Sequence, residues 1–586
     1  MLGFLPAGVA LAAAVHRVDA APASADGPHD GAPLDKESAR LRDQVAAELK
    51  VRGLPGAGVA LADTGGYASA FAVGFADLAS GEPARPEQLY QIGSISKSLV
   101  ALAIHVLVDR GRLDLDARIG DLLPDAPVPP EPITIAQLLD HSSGLPDSAP
   151  WLYDSPQARL WVGYAPGSRF SYSNTGYALL GFVIERVTGL PFHEALNELV
   201  LAPLGLTSSV TVIRIADRGR YATGHVPWLE DRPALPGARL TAGPWIEIED
   251  AAGSVAMTMA DMCRYIAFIA RLAQGHGAPL FSDTTARLFA TREGVAAPEY
   301  SPEARYANGF IHRLIDGRRS LEHTGGMVSF VACMTIDLAT SAGCFVGVNA
   351  SVGGYRPRAL SRLGAQLRAA VLERTAPPVA VPPVDPFAIA DGARLAGDYI
   401  GPGSQRVRVR ANGAGLAIEA NGRTARLFER AERGFATDHP DFATHMLEFG
   451  KPGESDAERH FWWAENRFST GGAAGGRATG GGAAGARATG DGAKGGGARW
   501  RAEAGVYVSN DPWLGSVAVF ARGDELVLEG WGRITQAGDG DWRFADAALA
   551  AERVRFAAPL DGRFQHLILS GSSFRRCAHR WPGASS

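Results

Sequence analysis

Residues 91–98 read QIGSISKS, and this segment decides how the rest of the chain is interpreted. Ser94 and Lys97 stand three positions apart, so on a helix both side chains lie on one face, one turn from each other. Arginine supplies most of the positive charge and stays protonated, whereas a desolvated lysine can lose its proton and act as a base. Lysine is rare in this chain and occurs at positions 36, 50, 97, 451 and 494. A genomic bias toward arginine would also deplete lysine, so the surrounding residues have to decide between the two explanations.

The residues after Ser94 predict a buried helix. KSLVALAIHVLVDRGRLDL is apolar nearly all round as far as Val108, a pattern typical of a helix packed on every side. Most isolated Ser-x-x-Lys pairs lie on a solvated helix face. Lys97, however, is the one lysine between residues 51 and 450, and its helix is too apolar to be exposed. The segment therefore predicts a serine nucleophile at the N-terminus of a core helix, with a lysine as its base.

Length and charge limit the classes of function. A chain of 586 residues predicts about three or four domains. The formal net charge is −5 and no Lys/Arg-rich block occurs, so the sequence indicates neither nucleic acid nor an anionic membrane surface as a partner. A small-molecule or peptide substrate fits this charge, and the sequence leaves the oligomeric state open.

The cysteines follow neither a metal-ligand spacing nor a small disulfide framework, and burial is the role that their scatter favours. They stand at positions 263, 333, 344 and 577. Cys333 and Cys344 are candidates for adjacent strands, and whether they pair stays open, because sequence alone does not show how closely their Cα atoms approach.

The N-terminus has features of an export signal. Residues 1–25 contain an apolar run followed by Ala23-Ser24-Ala25, which suits an A-x-A cleavage site, but a positive n-region is missing. We expect a periplasmic or secreted protein, with an unprocessed or membrane-tethered N-terminus as the alternative. No later stretch approaches the ~18 apolar residues of a membrane span.

A first domain is predicted over residues 38–375. It opens with helical periodicity in 38–50 and alternating, glycine-punctuated strands in 56–78, continues through short helices and loops, and returns with strands between 305 and 350. A last helix closes it. The Pro-rich segment 376–386 predicts a stiff, extended linker.

Two related β-barrels are predicted after the linker, over residues 387–469 and 500–586. LAGDYIGPGSQRVRVRANGAGLAIEANG and EAGVYVSNDPWLGSVAVFARGDELVLEGWG each combine Ala-Gly-x-Tyr with two alternating strands and a glycine turn. Residues 470–499 between them are a Gly/Ala-rich repeat with nothing to bury, which predicts disorder.

Two further motifs follow Ser94 and Lys97 in order: Tyr172-Ser173-Asn174, and His323-Thr324-Gly325-Gly326 at the start of a strand. With these motifs, residues 38–370 resemble the serine β-lactamase and penicillin-recognising enzyme superfamily, and specifically the class C β-lactamase-like serine hydrolases. The resemblance implies an α+β fold, in which a β-lactamase/transpeptidase-like catalytic domain with an antiparallel sheet and a helical subdomain is followed by two antiparallel β-barrel domains. It implies no metal and no cofactor.

The resemblance also implies roles for the motif residues. Ser94 would be acylated, and Lys97 would accept its proton. Tyr172 would pass a proton to the leaving group, with its phenolic pKa lowered by Lys97. Asn174 would bind the substrate amide. The oxyanion would lie between the backbone N–H groups of Ser94 and Gly326, and the third motif from His323 to Gly326 would line the substrate site.

His323 departs from the lysine that many β-lactamases and D,D-peptidases have at this place. A histidine is mostly neutral near pH 7, so carboxylate-terminated substrates should bind less strongly. Family members with His-x-Gly include esterases and D-aminopeptidases, and the D-aminopeptidases also have two β-barrels after the catalytic domain.

Two other segments imitate catalytic motifs. RYANGF spells Tyr-x-Asn at Tyr306 and Asn308, and HSSGLP offers His141 beside serines. We interpret the first as part of a strand and the second as a helix-ending turn, and place neither in the catalytic set.

The sequence therefore predicts a serine hydrolase that cleaves an amide or ester through an acyl-serine, with peptides containing D-residues as the first substrate class and simple esters and β-lactams after them. An esterase of the same family is one alternative, and a catalytically idle penicillin-binding sensor is another. The barrels are either a stabilising appendage or a gate, for which the loop 508–516 with Trp513 is the candidate.

Overall fold

The computed structural model describes residues 34–577 except 150–158, 230, 380–384, 391, 432, 451–458, 472–499, 512 and 539. The predicted signal peptide at 1–25 and nearly all of the Gly/Ala-rich repeat lie outside the described residues. Within the described ranges, no helix combines the length and the hydrophobicity that crossing a bilayer requires.

An α+β catalytic domain forms the first half of the chain. Its helices are α1 Lys36–Arg52, α2 Ser96–Asp109, α3 Ile119–Leu122, α4 Ile135–Leu139, α5 Asn174–Thr188, α6 Phe192–Leu196, α7 Met259–Ala273, α8 Asp283–Thr291 and α9 Arg358–Glu373. Its strands are β1 Gly56–Ala62, β2 Ala68–Asp77, β3 Glu82–Pro83, β4 Tyr90–Gln91, β5 His225–Pro227, β6 Leu240–Ala242, β7 Ala256–Met257, β8 Val295–Ala296, β9 Arg305–Ala307, β10 Phe310–Ile315, β11 Arg318–Gly326, β12 Val331–Asp337 and β13 Ala342–Val348.

Nine of these strands form one antiparallel sheet in the order β3-β2-β1-β13-β12-β11-β10-β9-β8. The late strands therefore return to the opening hairpin through the β1–β13 pair, as the sequence predicts, with Val59 opposite Val346. Both faces of the central strands are covered, and β1, β12 and β13 are buried along their whole length. Helices α1 and α9 pack on one face and α7 on the other, which explains why β1 has apolar residues at every position.

Helix α2 is the core helix that the sequence predicts. Every residue from Ser96 to Leu107 is buried. Its polar side chains find partners there: Ser98 Oγ donates to Ile95 O at 2.6 Å, and Ser96 Oγ accepts the Val255 N–H at 3.2 Å. Because these hydroxyl groups are hydrogen-bonded, the helix tolerates polar residues in an apolar environment.

Cys263, Cys333 and Cys344 are buried free thiols in the described part of the chain. Cys333 on β12 lies opposite Val346, and Cys344 on β13 lies opposite Thr335, so the two are diagonal neighbours in adjacent strands. Diagonal Cβ atoms lie up to ~7–8 Å apart, whereas a disulfide needs ~3.8 Å. Cys333 and Cys344 are therefore separate buried thiols, which answers the question of pairing that the sequence left open.

Two closed eight-stranded antiparallel barrels follow, which confirms the predicted fold class. The first comprises β14 Gly397–Ile400, β15 Arg406–Asn412, β16 Gly415–Ala420, β17 Arg423–Ala431, β18 Gly434–Thr437, β19 Leu447–Phe449, β20 His460–Trp463 and β21 Asn466–Ser469. The second comprises β22 Gly505–Val508, β23 Ser516–Arg522, β24 Glu525–Leu528, β25 Gly532–Gln536, β26 Trp542–Phe544, β27 Arg553–Leu560, β28 Arg563–Leu569 and β29 Ser572–Arg576.

The repeated Ala-Gly-x-Tyr plays the same part in each barrel. Tyr399 and Tyr507 are fully buried in the first strand of their barrels. Each hydroxyl donates to the carbonyl four residues earlier, Tyr399 to Leu395 at 2.8 Å and Tyr507 to Glu503 at 2.6 Å. This shared contact explains why the short motif recurs in otherwise different sequences.

Strand β11 is anchored to helix α9 by a buried carboxylate. Glu322 is fully buried and accepts hydrogen bonds from Arg362 at 2.7 and 3.1 Å, with Arg358 at 3.4 Å and Arg313 at 3.6 Å. A buried carboxylate is tolerated only with such partners. It stands directly before His323, so it holds the strand that carries the third motif.

We expect Glu322→Ala to lower the free energy of unfolding of the catalytic domain by about 1.5–3 kcal/mol, because it removes the charged acceptor of the partly exposed Arg362 and Arg358 guanidinium groups. The matched control is Glu373→Gln, which removes a partly exposed ion pair with Arg318 at 2.9 Å and should change the same quantity by less than about 1 kcal/mol. Urea midpoints of the catalytic-domain transition measure both. Equal midpoints for the two variants would contradict this role of Glu322.

Candidate active site

Ser94 and Lys97 lie at the junction of two helical segments. Ser94 is in the 3-10 turn Gly93–Ile95, and Lys97 is in the first turn of α2. Ser94 is partly exposed, whereas Lys97 has no exposed surface. The arrangement thus presents a hydroxyl to solvent and keeps the amine beside it away from water.

Glycines bring the end of β11 against the Ser94 turn. Gly93 has a φ of 52°, and a Cβ there would lie 2.7 Å from the backbone nitrogen of Gly326. A Cβ on Gly325 would lie 1.9 Å from the carbonyl oxygen of Ile92. Side chains at these positions are excluded, and the strand of the third motif approaches the nucleophile backbone to backbone. This places the Gly326 N–H beside Ser94, where the sequence predicts the second oxyanion donor.

Three oxygen atoms surround the Lys97 amine. Nζ lies 2.7 Å from Ala252 O, 2.6 Å from Asn174 Oδ1 and 3.1 Å from Ser94 Oγ. The first two accept hydrogen bonds and cannot donate. A neutral amine has two N–H groups and one lone pair, so when both N–H groups are donated to Ala252 and Asn174, the lone pair is available to the Ser94 hydroxyl.

Burial lowers the pKa of Lys97 to about 7, and the negative charges of Asp250 and Asp147 oppose that shift. Desolvation disfavours the ammonium form and is the larger effect. Near neutral pH a large fraction of the protein therefore carries Lys97 as a free amine. A general base is most effective when its pKa lies close to the working pH.

The pKa of Tyr172 is shifted in the opposite direction to the one expected from the sequence. Burial raises its pKa well above the ordinary value, and its side-chain hydrogen bond with Ser94 opposes that shift. Lys97 does not lower the pKa as predicted, because Nζ lies over the face of the ring, 4.9 Å from its centroid. The prediction of an acidic phenol is therefore wrong. Tyr172 is therefore a neutral phenol at physiological pH, and its role as a proton donor stays a prediction.

Asn174 is fixed at both ends of its amide. Its Oδ1 accepts from Lys97, while its Nδ2 donates to Asp147 Oδ1 at 2.9 Å, and its backbone N–H reaches the same oxygen at 3.2 Å. Ser173 caps helix α5 by accepting the Gly176 N–H at 3.0 Å. In this arrangement Asn174 orients Lys97, which the sequence analysis did not foresee. Its binding of a substrate amide stays a prediction.

The third motif alternates along the edge of the site, with Thr324 and Gly326 partly exposed and His323 and Gly325 buried. His323 Nδ1 donates to Thr324 O at 2.8 Å, so in the neutral ring Nε2 accepts from the Tyr306 hydroxyl at 2.9 Å. Burial, with a smaller contribution from Lys97, lowers the His323 pKa to about 3. The imidazole is neutral at physiological pH and faces Tyr306.

Residues that the sequence analysis set aside also contact the motifs. Asn308 bonds His105 at 3.1 Å and the Phe289 carbonyl at 3.2 Å, and takes no part in the site. Tyr306, by contrast, fixes His323. His141 Nδ1 accepts the Ser173 N–H at 3.1 Å, and its ring centroid lies 4.2 Å from that of Tyr172. Tyr306 and His141 thus buttress the motif residues, and local spacing carried no signal for either role.

Asp147 and Arg356 are further site residues that the sequence analysis missed. Asp147 is the partner of Asn174. Arg356 brings its guanidinium to the end of β11, since a Cβ on Gly326 would lie 2.5 Å from Arg356 Nη2. Its Nη1 donates to the Tyr355 carbonyl at 2.8 Å, and burial lowers its pKa without neutralising it at physiological pH. A fixed positive charge therefore stands near the third motif although His323 is neutral.

A large cavity lies elsewhere. A cavity of about 660 Å³ opens between residues 227–229 and 232–239 of the catalytic domain and the first barrel, with Trp228, Arg239, Phe387 and Arg426 among the lining residues. It contains no residue of the three motifs. The catalytic chemistry is therefore assigned to the surroundings of Ser94, where the three motifs meet.

The fold and the three motifs together define the class of protein to which the chain belongs. The family profile described as Beta-lactamase matches residues 41–386, more than half of the sequence. The chain belongs to the beta-lactamase family, as the three motifs predicted.

Individual relatives agree with this assignment. The chain is 32% identical over 231 residues to Penicillin-binding protein 4 of Amycolatopsis lactamdurans, covering 36% of this chain and 58% of that protein. It is 33% identical over 224 residues to Esterase EstB of Burkholderia gladioli, covering 33% of this chain and 56% of the esterase. The matches thus span a little over half the length of each relative.

One solved structure shares the fold over a longer stretch. The octameric penicillin-binding protein homologue from Pyrococcus abyssi matches 74% of this chain and 99% of its own, with a TM-score of 0.52 and 24% identity. The likeness concerns the fold alone.

We expect kcat/KM for an acylating substrate to rise with pH and to level off above an apparent pKa near 7, because only the neutral Lys97 amine accepts the serine proton. Lys97→Arg keeps the charge but cannot accept the proton, and should reduce kcat/KM by at least about 100-fold. Lys50→Arg, on the exposed end of α1, is the matched control. A flat profile between about pH 5.5 and 8.5 would contradict the role of Lys97.

Proposed function

We propose that the protein hydrolyses amides or esters through an acyl intermediate on Ser94. The observation that carries the proposal is the Lys97 amine, buried, with a pKa of about 7, and 3.1 Å from Ser94 Oγ. A serine hydroxyl is a weak nucleophile until a neighbouring base takes its proton. Burying a lysine is costly, and an active site is where such a cost is found.

The proposed reaction uses the groups around Ser94 in order. Lys97 accepts the Ser94 proton as Oγ attacks the carbonyl carbon, and the N–H groups of Ser94 and Gly326 stabilise the oxyanion. The bond to the leaving group then breaks as Tyr172 donates its phenolic proton to the departing nitrogen or oxygen, and the Lys97 ammonium restores it. A water molecule repeats these steps on the acyl-serine and releases the acid.

Peptides and amides of D-residues are the first proposed substrate class. Two closed barrels follow the catalytic domain, which is the domain order of the D-aminopeptidases that the sequence resembles. The carboxylates of Asp147 and Asp250 act on the charge of Lys97 and add negative potential to the site. Negative potential favours a substrate with a free, protonated amino group. Simple esters and β-lactams are proposed after this class, and the names of two relatives, an esterase and a penicillin-binding protein, support including them.

We expect a D-aminoacyl p-nitroanilide to be hydrolysed with a higher kcat/KM than its N-acetylated form, by about tenfold or more, because acetylation removes the ammonium group. A fluorophosphonate should add one adduct to the intact mass of the wild type and of Ser96→Ala, but none to Ser94→Ala. Equal rates for the free and acetylated substrates would overturn the substrate class. An acyl adduct formed with labelled penicillin or the anilide that is never hydrolysed would instead identify a sensor.

Arg356 favours a second candidate, a peptidase that binds a terminal carboxylate on the leaving-group side. Its guanidinium lies beside Gly326, where the acyl carbonyl would be bound. A charged hydrogen bond contributes about 1.5–3 kcal/mol.

If this candidate is correct, Arg356→Met should lower kcat/KM for an acyl-D-alanyl-D-alanine by about tenfold or more and leave that for its C-terminal amide nearly unchanged. For each substrate, the ratio of kcat/KM in the variant to that in the wild type is measured on the same enzyme preparations. A parallel loss for both substrates would assign Arg356 to support of the strand.

A further inference from the structure

The second barrel contacts the catalytic domain next to the active site. The contact is made by the connection from β26 to β27, which includes the 3-10 turn Ala547–Leu549. Trp161 of the catalytic domain donates its indole N–H to Ala551 O at 2.7 Å, and the Arg553 guanidinium covers the Trp161 ring at 4.6 Å. An aromatic side chain of one domain is thus held by backbone and charge of the other.

This contact is tightly packed. A Cβ on Gly163 would lie 2.3 Å from the Cα atom of Ala551 and 2.5 Å from the carbonyl oxygen of Ala550. Ala551 itself is 1% exposed. The two domains therefore meet backbone to backbone, and any side chain at position 163 would force them apart.

Glu552 extends the contact to the catalytic residues. Its Oε1 accepts the backbone N–H of Asp147 at 2.8 Å, although the two residues are 405 positions apart. Its Oε2 accepts from the Ser570 hydroxyl, which in turn accepts the Arg553 N–H at 3.1 Å. Glu552 is 5% exposed. Its carboxylate is therefore held within the second barrel by Ser570 while it binds the catalytic domain.

A continuous series of hydrogen bonds then runs to the nucleophile. The carboxylate of Asp147 binds the Asn174 amide at 2.9 Å, the Asn174 oxygen binds Lys97 at 2.6 Å, and Lys97 lies 3.1 Å from Ser94. The Asp147 carbonyl also accepts the Thr175 N–H at 2.8 Å, so Asp147 is held to the first turn of α5. The second barrel joins this series of hydrogen bonds at the backbone N–H of Asp147, which Glu552 accepts.

We infer that Glu552 of the second barrel is a positioning residue for the catalytic centre: by holding the Asp147 backbone, it keeps Asn174 in place to orient Lys97 toward Ser94. The inference rests on the proposed acyl-Ser94 chemistry. It makes the barrel a part of the active site's support, since removing its contact loosens the loop that contains Asp147 and admits water to Lys97.

Three variants test the inference in the full-length chain. Glu552→Ala removes the acceptor of the Asp147 N–H. Glu552→Gln keeps an acceptor oxygen and serves as the conservative rescue. Glu529→Gln is the matched control, because Glu529 also accepts a backbone N–H across a domain boundary, that of Met446 at 2.9 Å, but between the two barrels.

We expect Glu552→Ala to slow labelling by a fluorophosphonate about tenfold. With a chromogenic substrate, the same variant should lower kcat more than it changes KM. The apparent pKa of kcat/KM should move upward from about 7, because water reaching Lys97 relieves its desolvation. Glu552→Gln and Glu529→Gln should stay within about twofold of the wild type. Hydrogen exchange in the peptide that contains Asp147 should accelerate in Glu552→Ala alone.

Gly163→Val approaches the same contact from the catalytic domain. Because both changes separate the same surfaces, the double variant with Glu552→Ala should be no slower than the slower single variant, whereas independent effects would multiply. Faster unfolding with an unchanged labelling rate and pH profile would overturn the inference and leave the contact a purely structural one. Failure of the wild type to be labelled at Ser94 would instead refute the proposed function, and hydrogen exchange would still report on the contact.

Discussion

The catalytic centre depends on excluding water from one lysine amine. Lys97 is fully buried at the start of a helix with apolar residues on all sides, and burial is the largest influence on its pKa. The amine is nevertheless fully hydrogen-bonded, because Asn174 and Ala252 accept from it and Ser94 lies within reach. An unpaired buried amine would destabilise the fold, whereas this one is both tolerated and available as a base.

Other features of the site follow from that constraint. The glycines at positions 93, 325 and 326 allow the third-motif strand to close over the Ser94 turn. Neutral aromatic and imidazole groups surround the amine: the ring faces of Tyr172 and Tyr177 lie 4.9 and 5.5 Å from Nζ, and His323 stays uncharged. A protonated histidine there would repel the Lys97 ammonium. The neutral His323, hydrogen-bonded to the Tyr306 hydroxyl, avoids this repulsion.

The features that the sequence predicted depend on neighbouring residues, whereas those it missed depend on contacts between distant segments. The buried helix α2, the return of the late strands to the opening hairpin and the two barrels follow from local patterns and were confirmed. Ser94 and Lys97 lie 3.1 Å apart, as their spacing predicts, while their catalytic roles stay a prediction. Tyr172 was misjudged because its pKa depends on whether Lys97 faces the hydroxyl or the ring, which spacing does not show. Asp147, Arg356 and Glu552 were missed because each reaches the site through contacts with distant segments, and single acidic or basic residues carry no periodic signal.

The most direct test of the account is the pKa of Lys97 itself. The chain has five lysines, so lysine labelled with ¹³C at Cε should give five resolvable NMR signals, and the spectrum of Lys97→Arg would assign the one from Lys97. The account predicts that this signal titrates near pH 7, while solvent-exposed lysines titrate near pH ~10.4. A Lys97 signal that titrates at the reference value of an exposed lysine, near pH ~10.4, would show that the amine is solvated and protonated at neutral pH, and would contradict its role as the base.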